Sequence, residues 1–366
     1  MAAVASQPDT SKLWPVAGFN SQIIFQTTYD TDTKTQEASC SIVGEDGTEV
    51  VVVYMTRITP TFLLWNLANV VNDSFVDYSK LFNALDGSAK VNNSRMKFLL
   101  TPTFKDYVEQ SDLTLDEGTS QAASQIACLI AAVDDLTDYF DSSALKFLTV
   151  KPKGRVNSSC NEYLSIYSDG TESCRIGFYD ANGDYIEDED ISYSASAGEL
   201  NHFPIGTANM TVPSGAKSYR VNLRDPLTIQ VIKYNIVDCN LHSIHFVNRF
   251  GQIDSMHFDR INQRHQAQSK TYSQPIQSFP IENGFQYLRH DIEANQIYTV
   301  TAFKLSLEEV QWLVDLVNTP FANWEVNGEY VPIQILDTET AAFDHRKTDF
   351  SFSIEFRLSN PIEGVN

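Results

Sequence analysis

The feature that most constrains the fold is a strict alternation of apolar and polar residues near the end of the chain. In FSFSIEFRL, residues 350–358, five apolar side chains alternate with four polar ones. Successive side chains of a β-strand point to opposite faces of its sheet. One face of this strand must therefore be buried and the other solvated. The chain needs a second apolar layer to cover the buried face.

A single amphipathic helix upstream is the natural candidate for that layer. Ser306 and Glu309 have the spacing of a capping box, which predicts a helix start at this point. The apolar stripe of this helix consists of Val310, Leu313, Val314 and Val317. The sequence Asn318-Thr319-Pro320 predicts the helix end, and Asn327-Gly328 predicts a hairpin turn between two further strands.

Short strands separated by turn residues fill the middle of the chain. Apolar and polar residues alternate over 174–179 and 219–223, which is typical of antiparallel sheets with one solvated face. We predict a mainly β fold with some α structure. Its predicted parts are a flexible arm (1–16), a β-rich N-terminal domain with an acidic helical excursion (17–143), a central antiparallel, jelly-roll-like β-sandwich (144–248) and a C-terminal α+β domain with one capped helix on an antiparallel sheet (249–366).

Within the N-terminal part, Glu45-Asp46-Gly47 predicts a hairpin turn. Pro102 predicts a break in the strand SRMKFLLTPTF. The small-residue segment SQAASQIACLIAAVDDL, residues 120–136, predicts a helix. It lies inside an acidic window, 106–141, whose charges we interpret as a solvated face and not as a cation site.

Net charge and cysteine content limit the partners and the compartment. A net charge of −21 and a pI near 4.6 argue against nucleic acid or an anionic membrane as the main partner. The five cysteines form no CxxC pair, which favours reduced, buried thiols, with a single Cys160–Cys174 disulfide as the alternative. The N-terminus has no pattern of a secretory signal, and no apolar run reaches the ~20 residues of a membrane-spanning helix.

One segment has partial similarity to a calcium-binding loop. Asp180, Asn182 and Asp184 occupy its first, third and fifth positions, but Tyr185 and Ile191 stand where glycine and glutamate are required. We therefore predict a hairpin with Asn182-Gly183 in a type I′ turn and no metal site.

Catalytic patterns are missing from the sequence. His242 and His245 are three residues apart on a predicted strand and so point to opposite faces. The sequence has no G-x-S-x-G elbow, no GxGxxG and no Walker A motif. We predict no catalytic residue, no cofactor-binding residue and no metal ligand, and hence a protein that is not an enzyme.

A locally basic stretch within this acidic chain is the candidate subunit interface. Its positive residues would meet the acidic region of a neighbouring copy, although an ordinary exposed loop explains the same pattern. The residues of this predicted interface are Arg249, Arg260, Arg264, Lys270, Asp134, Asp135 and Asp138.

Two segments resemble tail-associated structural proteins of bacteriophages and prophages of the Bacteroidota. They are HFVNRFGQIDSMHFD, residues 245–259, and EEVQWLVDLVNTPFANWEVNGEYVPIQIL, residues 308–336. With the preceding sandwich, the resemblance covers about residues 145–360. It implies a virion tail component that forms a homo-oligomeric ring or a tail-tip element, is assembled in the host cytoplasm, and has copies of itself and other tail proteins as partners.

Two other functions remain open at this point. The central sandwich of an adhesin or receptor-binding protein would recognise a surface glycan, with exposed aromatic rings stacking on sugars. A polysaccharide hydrolase would need two carboxylates across a cleft, and the sequence singles out no such pair.

Overall fold

The computed structural model describes residues 3–16, 22–28, 33–44, 47–56, 62–71, 82, 91–92, 97–109, 115–133, 136, 146–168, 173–194, 199–224, 229–275, 285–336 and 349–359. The predicted fold class is confirmed in them: the chain is mainly β, with several antiparallel sheets and a short helical segment near the C-terminus. No helix in these ranges is both long and apolar enough to span a membrane.

Two facing sheets form the N-terminal part. The strands are β1 (Ala3–Ser6), β2 (Leu13–Pro15), β3 (Ile24–Thr28), β4 (Thr33–Gly44), β5 (Gly47–Thr56), β6 (Phe62–Asn66), β7 (Val91–Asn92), β8 (Lys97–Glu109), β9 (Leu115–Ala122) and β10 (Ile126–Leu129). One sheet has the order β1-β3-β6 and the other β2-β10-β8-β4-β5, with β9 also pairing with β8. Phe25, Trp65 and Phe104 pack between the two sheets.

The segment for which the sequence predicts a flexible arm instead contains two paired strands. β1 pairs with β3, and β2 runs parallel to β10. Leu13 and Val16 are buried in the N-terminal core. Apolar burial therefore holds this segment in place, despite its small polar composition.

Two further local predictions in this part are wrong. Pro102 does not break its strand, because β8 continues through it and Pro102 pairs in register with Cys40 of β4. The predicted helix at 120–136 is absent from its described residues, where β10 forms instead. Ile126 and Cys128 of β10 face the core, so the period is two residues and not 3.6. The hairpin predicted at Glu45-Asp46-Gly47 is confirmed by the pairing of β4 with β5.

The central sandwich has a five-stranded sheet facing a shorter one. Its strands are β11 (Lys153–Val156), β12 (Tyr163–Ser168), β13 (Ser173–Tyr179), β14 (Tyr185–Ser194), β15 (Glu199–Pro204), β16 (Ser218–Arg224) and β17 (Ile229–Ile236). The sheet orders are β11-β17-β16-β13-β14 and β12-β15-β7. All of these pairs are antiparallel except β11 with β17, which run parallel.

The C-terminal part is a seven-stranded antiparallel sheet with a helical layer. Its elements are β18 (His242–Val247), β19 (Ile253–Phe258), β20 (Arg260–Pro275), β21 (Phe285–Leu305), α1 (Leu307–Trp312), α2 (Val314–Val317), β22 (Ala322–Val326), β23 (Glu329–Ile335) and β24 (Phe350–Leu358). The order is β19-β18-β22-β23-β24-β21-β20. The alternation predicted for 350–358 is confirmed in β24, whose apolar residues are buried or partly buried and whose polar residues face outward.

The predicted capping box is confirmed. Ser306 Oγ accepts a hydrogen bond from the Glu309 amide at 3.3 Å, and the Glu309 carboxylate accepts one from the Ser306 amide at 2.7 Å. The helix is split at Leu313 into α1 and α2, and the helical segment ends at Val317, before Asn318, as predicted. Val310, Leu313 and Leu316 pack in the same core as the apolar face of β24.

Three turns have clear backbone geometry, and asparagine shapes two of them. Asn327 and Gly328 both have positive φ, which confirms the predicted hairpin turn. Between β13 and β14 only Gly183 has positive φ, so the turn is not of type I′. Asn248 shapes the turn between β18 and β19, where its side-chain oxygen accepts the amides of Phe250 and Gln252 and Gly251 adopts positive φ.

Candidate functional site

The predicted interface residues are only partly brought together. Arg249, in the turn after β18, forms a bidentate pair with Asp315 of α2, with an Nη2–Oδ1 distance of 2.7 Å and an Nε–Oδ2 distance of 3.1 Å. Its charge is thus engaged within the chain. Asp134, Asp135 and Asp138 lie outside the described residues, so the proposed contact between the basic and acidic regions remains a prediction.

Arg260, Arg264 and Lys270 all lie on β20, which forms one edge of the C-terminal sheet. Arg260 donates to the Asn262 side chain at 3.2 Å, and Arg264 donates to Glu355 at 2.7 Å. The side chain of Arg264 is 56% exposed. The side chain of Lys270 is outside the described part of the chain.

Strands β20 and β21 extend far beyond the sheet. β21 pairs with β24 only from Tyr298 to Leu305. Residues 266–275 and 285–295 pair with each other and, among the described residues, with no third strand. We call these two segments the ribbon. At about 3.3 Å per residue it is about 33 Å long.

A buried group of polar side chains joins the sandwich to the C-terminal sheet. We call it the polar junction, and it comprises Thr149, Lys151, Glu162, His245, Asp254, Ser255, His257 and Glu325. Lys151 precedes β11 and Glu162 precedes β12, whereas the histidines, Asp254 and Ser255 lie on β18 and β19. Chain folding therefore brings together groups about one hundred residues apart.

Lys151 and Glu162 form the centre of the junction. Lys151 Nζ lies 2.6 Å from Glu162 Oε2 and donates to the Ser255 carbonyl at 2.8 Å. The same ammonium lies 5.0 Å from the Trp312 ring centroid and 5.1 Å from that of Tyr234. Both charged side chains are almost completely buried, so each depends on the other for compensation.

His257 is linked to Glu162 with a 3.2 Å Nε2–Oε2 distance, and its Nδ1 is 2.9 Å from Ser243 Oγ. Burial alone would lower the pKa of His257, but Cys160 and Glu162 raise it to about 9. Burial would raise the pKa of Glu162, yet Lys151 and His257 hold it below its ordinary value. The junction therefore holds charged partners at neutral pH.

Two other junction residues, Asp254 and His245, have pKa values that burial shifts toward the neutral form. Burial raises the pKa of Asp254 to about 7, although Lys151, Thr149 and Trp312 favour its charged form. Thr149 Oγ1 and Trp312 Nε1 each donate to Asp254 at 2.7 Å. Burial lowers the pKa of His245, whose Nε2 lies 2.9 Å from Glu325.

The junction is closed to large ligands, and an open cleft lies beside it. Asp254, Glu162, His245 and His257 are each at most 2% exposed. A cleft of about 410 Å³ has Cys160, Asn161, Ser243 and Glu325 in its wall. Asn161 donates to Glu325 at 2.6 Å, so this carboxylate is engaged from both sides. The arrangement is suited to fixing two modules together.

The predicted turn in place of a metal loop agrees with the geometry at Asp180. Its Oδ1 accepts the amides of Asn182 at 2.8 Å and Asp184 at 2.9 Å, so the carboxylate is used by the turn. All five cysteines are free, and four are buried as predicted, but Cys239 is exposed. Asp106, in the acidic window, is buried and accepts a hydrogen bond from Gln36 at 2.9 Å, so it is not part of a solvated face.

Sequence reasoning missed the polar junction. A usable signal was present in HFVNRFGQIDSMHFD, which places His245, Asp254, Ser255 and His257 on two strands whose residues are almost all buried. Several polar residues on strands buried on both faces indicate a buried hydrogen-bonded network. The partners Lys151 and Glu162 could not be identified, because nothing in their local sequence indicates the long-range contact.

Comparisons with known proteins provide no family for the chain. No protein-family model matches it, and no curated protein matches it. Similar solved structures include the Salmonella enterica SafA pilin with the SafB chaperone (TM-score 0.21, 6% identity, 71% of this chain and 96% of that chain). The periplasmic chaperone SfaE (TM-score 0.18, 9% identity, 65% and 100%) and a 1.5-MDa bacterial ice-binding adhesin (TM-score 0.18, 7% identity, 98% and 97%) are also similar. At such TM-scores these similarities carry no functional argument.

Proposed function

We propose that this protein is a non-enzymatic, self-associating structural component of a phage tail, forming a ring or a tail-tip element. The observation that carries the proposal is the ribbon. A two-stranded hairpin alone is marginally stable in water, so about 33 Å of ribbon with no third strand among the described residues is best explained by contact with another subunit. Resemblance of residues 245–259 and 308–336 to phage tail proteins supports the tail as its setting.

Charge supports a second copy of the same chain as the partner. β20 carries Arg260, Arg264 and Lys270 and no acidic residue, whereas the whole chain has a net charge of −21. The positive charge of β20 is attracted to the acidic surface of a neighbouring copy. A contact between two different patches of each subunit closes into a ring when its rotation permits.

The polar junction supports a mechanical role for the rest of the molecule. It fixes the sandwich to the C-terminal sheet through the buried pair of His257 with Glu162 and the hydrogen bond from Lys151 to the Ser255 carbonyl, so the ribbon projects from a rigid base. Glu162, Asp254, His245 and His257 are almost completely buried and hold hydrogen bonds within the chain, which favours a positioning role over turnover of a substrate.

Removal of the ribbon tests the proposal. In one variant, residues 266–295 are replaced by Asn-Gly, which retains the part of β20 and β21 next to β24. We expect the wild-type chain to sediment as a closed oligomer with an annulus or tip complex in negative-stain images, and the variant to lose it. A wild-type chain that is monomeric at all concentrations, or a variant with unchanged assembly, would contradict the proposal.

A matched pair of charge reversals separates the role of charge from that of the ribbon itself. R260E/R264E reverses two charges on β20, and K217E/K233E makes the same change in net charge on exposed positions of the sandwich. Assembly should weaken in the first variant, more so at low salt, and remain in the second. Equal effects of the two variants would contradict a role for the charge of β20 in assembly. The ribbon-deleted variant tests the ribbon contact separately.

A further inference from the structure

Strand β5 presents apolar residues to solvent at a free sheet edge. In the sheet order β2-β10-β8-β4-β5, β4 is the single partner of β5 among the residues that the structure describes. Val51, Val53 and Met55 face inward and pack against the N-terminal core. Val50, Val52 and Tyr54 face outward and are 57%, 44% and 63% exposed.

This apolar row is restricted to the edge strand. On the same outward face, the residues of β4 opposite Val50, Val52 and Tyr54 are Ser41, Ser39 and Glu37. The next strand continues the row with the polar residues Thr101, Thr103 and Lys105. At these three positions the outward face is polar on both neighbouring strands, and the apolar side chains lie on the strand whose outer backbone edge has no partner among the described residues. An exposed, valine-rich edge strand of ten residues promotes pairing with another strand.

The chemistry of β5 selects its partner. Its only charged residue is Glu49, in a chain with a net charge of −21. Two copies of an acidic protein repel each other over most of their surfaces, so a nearly neutral apolar strand is a surface on which copies can meet without that repulsion. The ribbon is a poorer partner for this edge, because β20 is rich in polar and charged residues.

Register provides a further argument for self-pairing. When two β5 strands run antiparallel with Val52 opposite Val52 of a second copy, Val50 lies opposite Tyr54 and Val51 opposite Val53. Glu49 then lies opposite Met55, so no two carboxylates face each other. Outward apolar residues from both copies form one continuous row, the kind of cross-strand contact that stabilises sheets.

We propose that β5 is an isologous interface at which two copies of this chain pair antiparallel about a twofold axis at Val52. The contact joins the two N-terminal sheets into one continuous sheet. It is separate from the ribbon contact, so it adds a second, symmetric association to the proposed function.

Disulfide trapping tests the register. In a C239S background, which removes the exposed native thiol, V52C places two thiols opposite each other, within the Cα separation that a disulfide spans. The control is V50C, which has the same native residue and the same face and is more exposed. In the proposed register, the two thiols introduced by V50C would lie four residues apart along the paired strands. We expect V52C to form linked dimers at least about tenfold faster than V50C, because pairing raises the effective thiol concentration.

An equimolar mixture of V50C and Y54C chains provides the complementary result. These positions lie opposite each other in the proposed register, so the mixture should cross-link faster than either variant alone. Linking of V52C no faster than that of V50C, or no gain in the mixture, would overturn the proposal.

A measurement without cysteine variants checks the same contact. V52K places two positive charges on the axis, and V231K makes the same change at another exposed valine, on β17. We expect V52K to halve the molecular mass measured by sedimentation, because the two halves of the assembly that the twofold axis relates would separate. V231K should leave this mass unchanged. Identical masses for V52K and the wild-type chain would overturn the β5 interface. Ribbon-dependent assembly would then still stand, because the ribbon-deleted variant tests it separately.

Discussion

At the scale of single residues, Lys151 determines whether the polar junction can exist. Its ammonium compensates Glu162 at 2.6 Å and lies over the rings of Trp312 and Tyr234. Removing one partner of a buried ion pair leaves the other charge buried without compensation, which costs more than the pair itself contributes.

We therefore expect Lys151→Met to reduce the free energy of unfolding by about 3 kcal/mol or more. The control is Lys153→Met, whose side chain is 41% exposed beside Glu309, and it should cost no more than about 1 kcal/mol. Denaturant titration of both variants measures the difference. The double variant K151M/E162L should recover part of the loss, and equal losses for K151M and K153M would show that the pair is not buried in solution.

At the scale of elements, the helical layer depends on the cap at Ser306. α1 has six residues and α2 has four, so neither would be stable alone. Ser306 and Glu309 satisfy two backbone amides at the point where β21 ends and α1 begins.

Ser306→Ala should lower the free energy of unfolding by about 1 kcal/mol, because one helical amide loses its partner. Ser351→Ala, on the solvated face of β24, removes the same hydroxyl type and should change stability by less than about 0.5 kcal/mol. Thermal or chemical denaturation compares the two. A loss for Ser306→Ala that is no larger than the loss for Ser351→Ala would mean that the helix start is stabilised mainly by packing.

Predictions from sequence succeeded where local chemistry decides the structure. The Ser306 cap, the Asn327-Gly328 turn and the alternation in β24 all depend on neighbours within a few residues, and all are confirmed. They failed where distant contacts override local preference. Small residues at 120–136 favour a helix, but Ile126 and Cys128 are needed to cover the N-terminal core from a strand.

Among the candidate sites, too, those formed by neighbouring residues could be predicted from sequence, and those formed by distant residues could not. The turn at Asp180 could be predicted from its own sequence, although its type could not. Lys151 and Glu162 meet His257 only because β19 lies next to the ends of the sandwich strands. Such a contact has no local signature, so charge composition alone drew attention to the exposed basic stretch and away from the buried junction.

At the scale of the whole molecule, buried titratable groups make stability dependent on pH. The pKa of His257, about 9 in the folded chain, lies above its unfolded value of about 6.5, so its stabilisation is present below about pH 6.5 and is lost as pH rises to 9. The pKa of Asp254, about 7 when folded, also exceeds its ordinary value. Ionisation of Asp254 therefore penalises the folded state as pH rises from about 4 to 7.

Glu162 and Glu325 change the stability of the folded chain in the opposite direction. The pKa values of Glu162 and Glu325 are held low in the folded chain, so their stabilisation is lost as pH falls through the acidic range. The pKa values of Cys160 and His245 are lowered in the folded chain, so these two groups add stability as pH rises and oppose part of the loss. We expect the denaturation midpoint to fall from about pH 5 to pH 7, where the ionisation of Asp254 is the largest change. Titrations at pH 5 and pH 7 test this, and a midpoint that rises over that interval would contradict it.

The parallel pairing of β11 with β17 has a consequence for a molecule under tension. β11 is the first strand of the sandwich and β17 the last, and Lys153–Val156 pairs in the same direction as Lys233–Ile236. Pulling the two ends of the chain apart would draw these strands past each other along their length. Their hydrogen bonds would then share the load and break together instead of opening one at a time. Such a clamp resists extension of the sandwich.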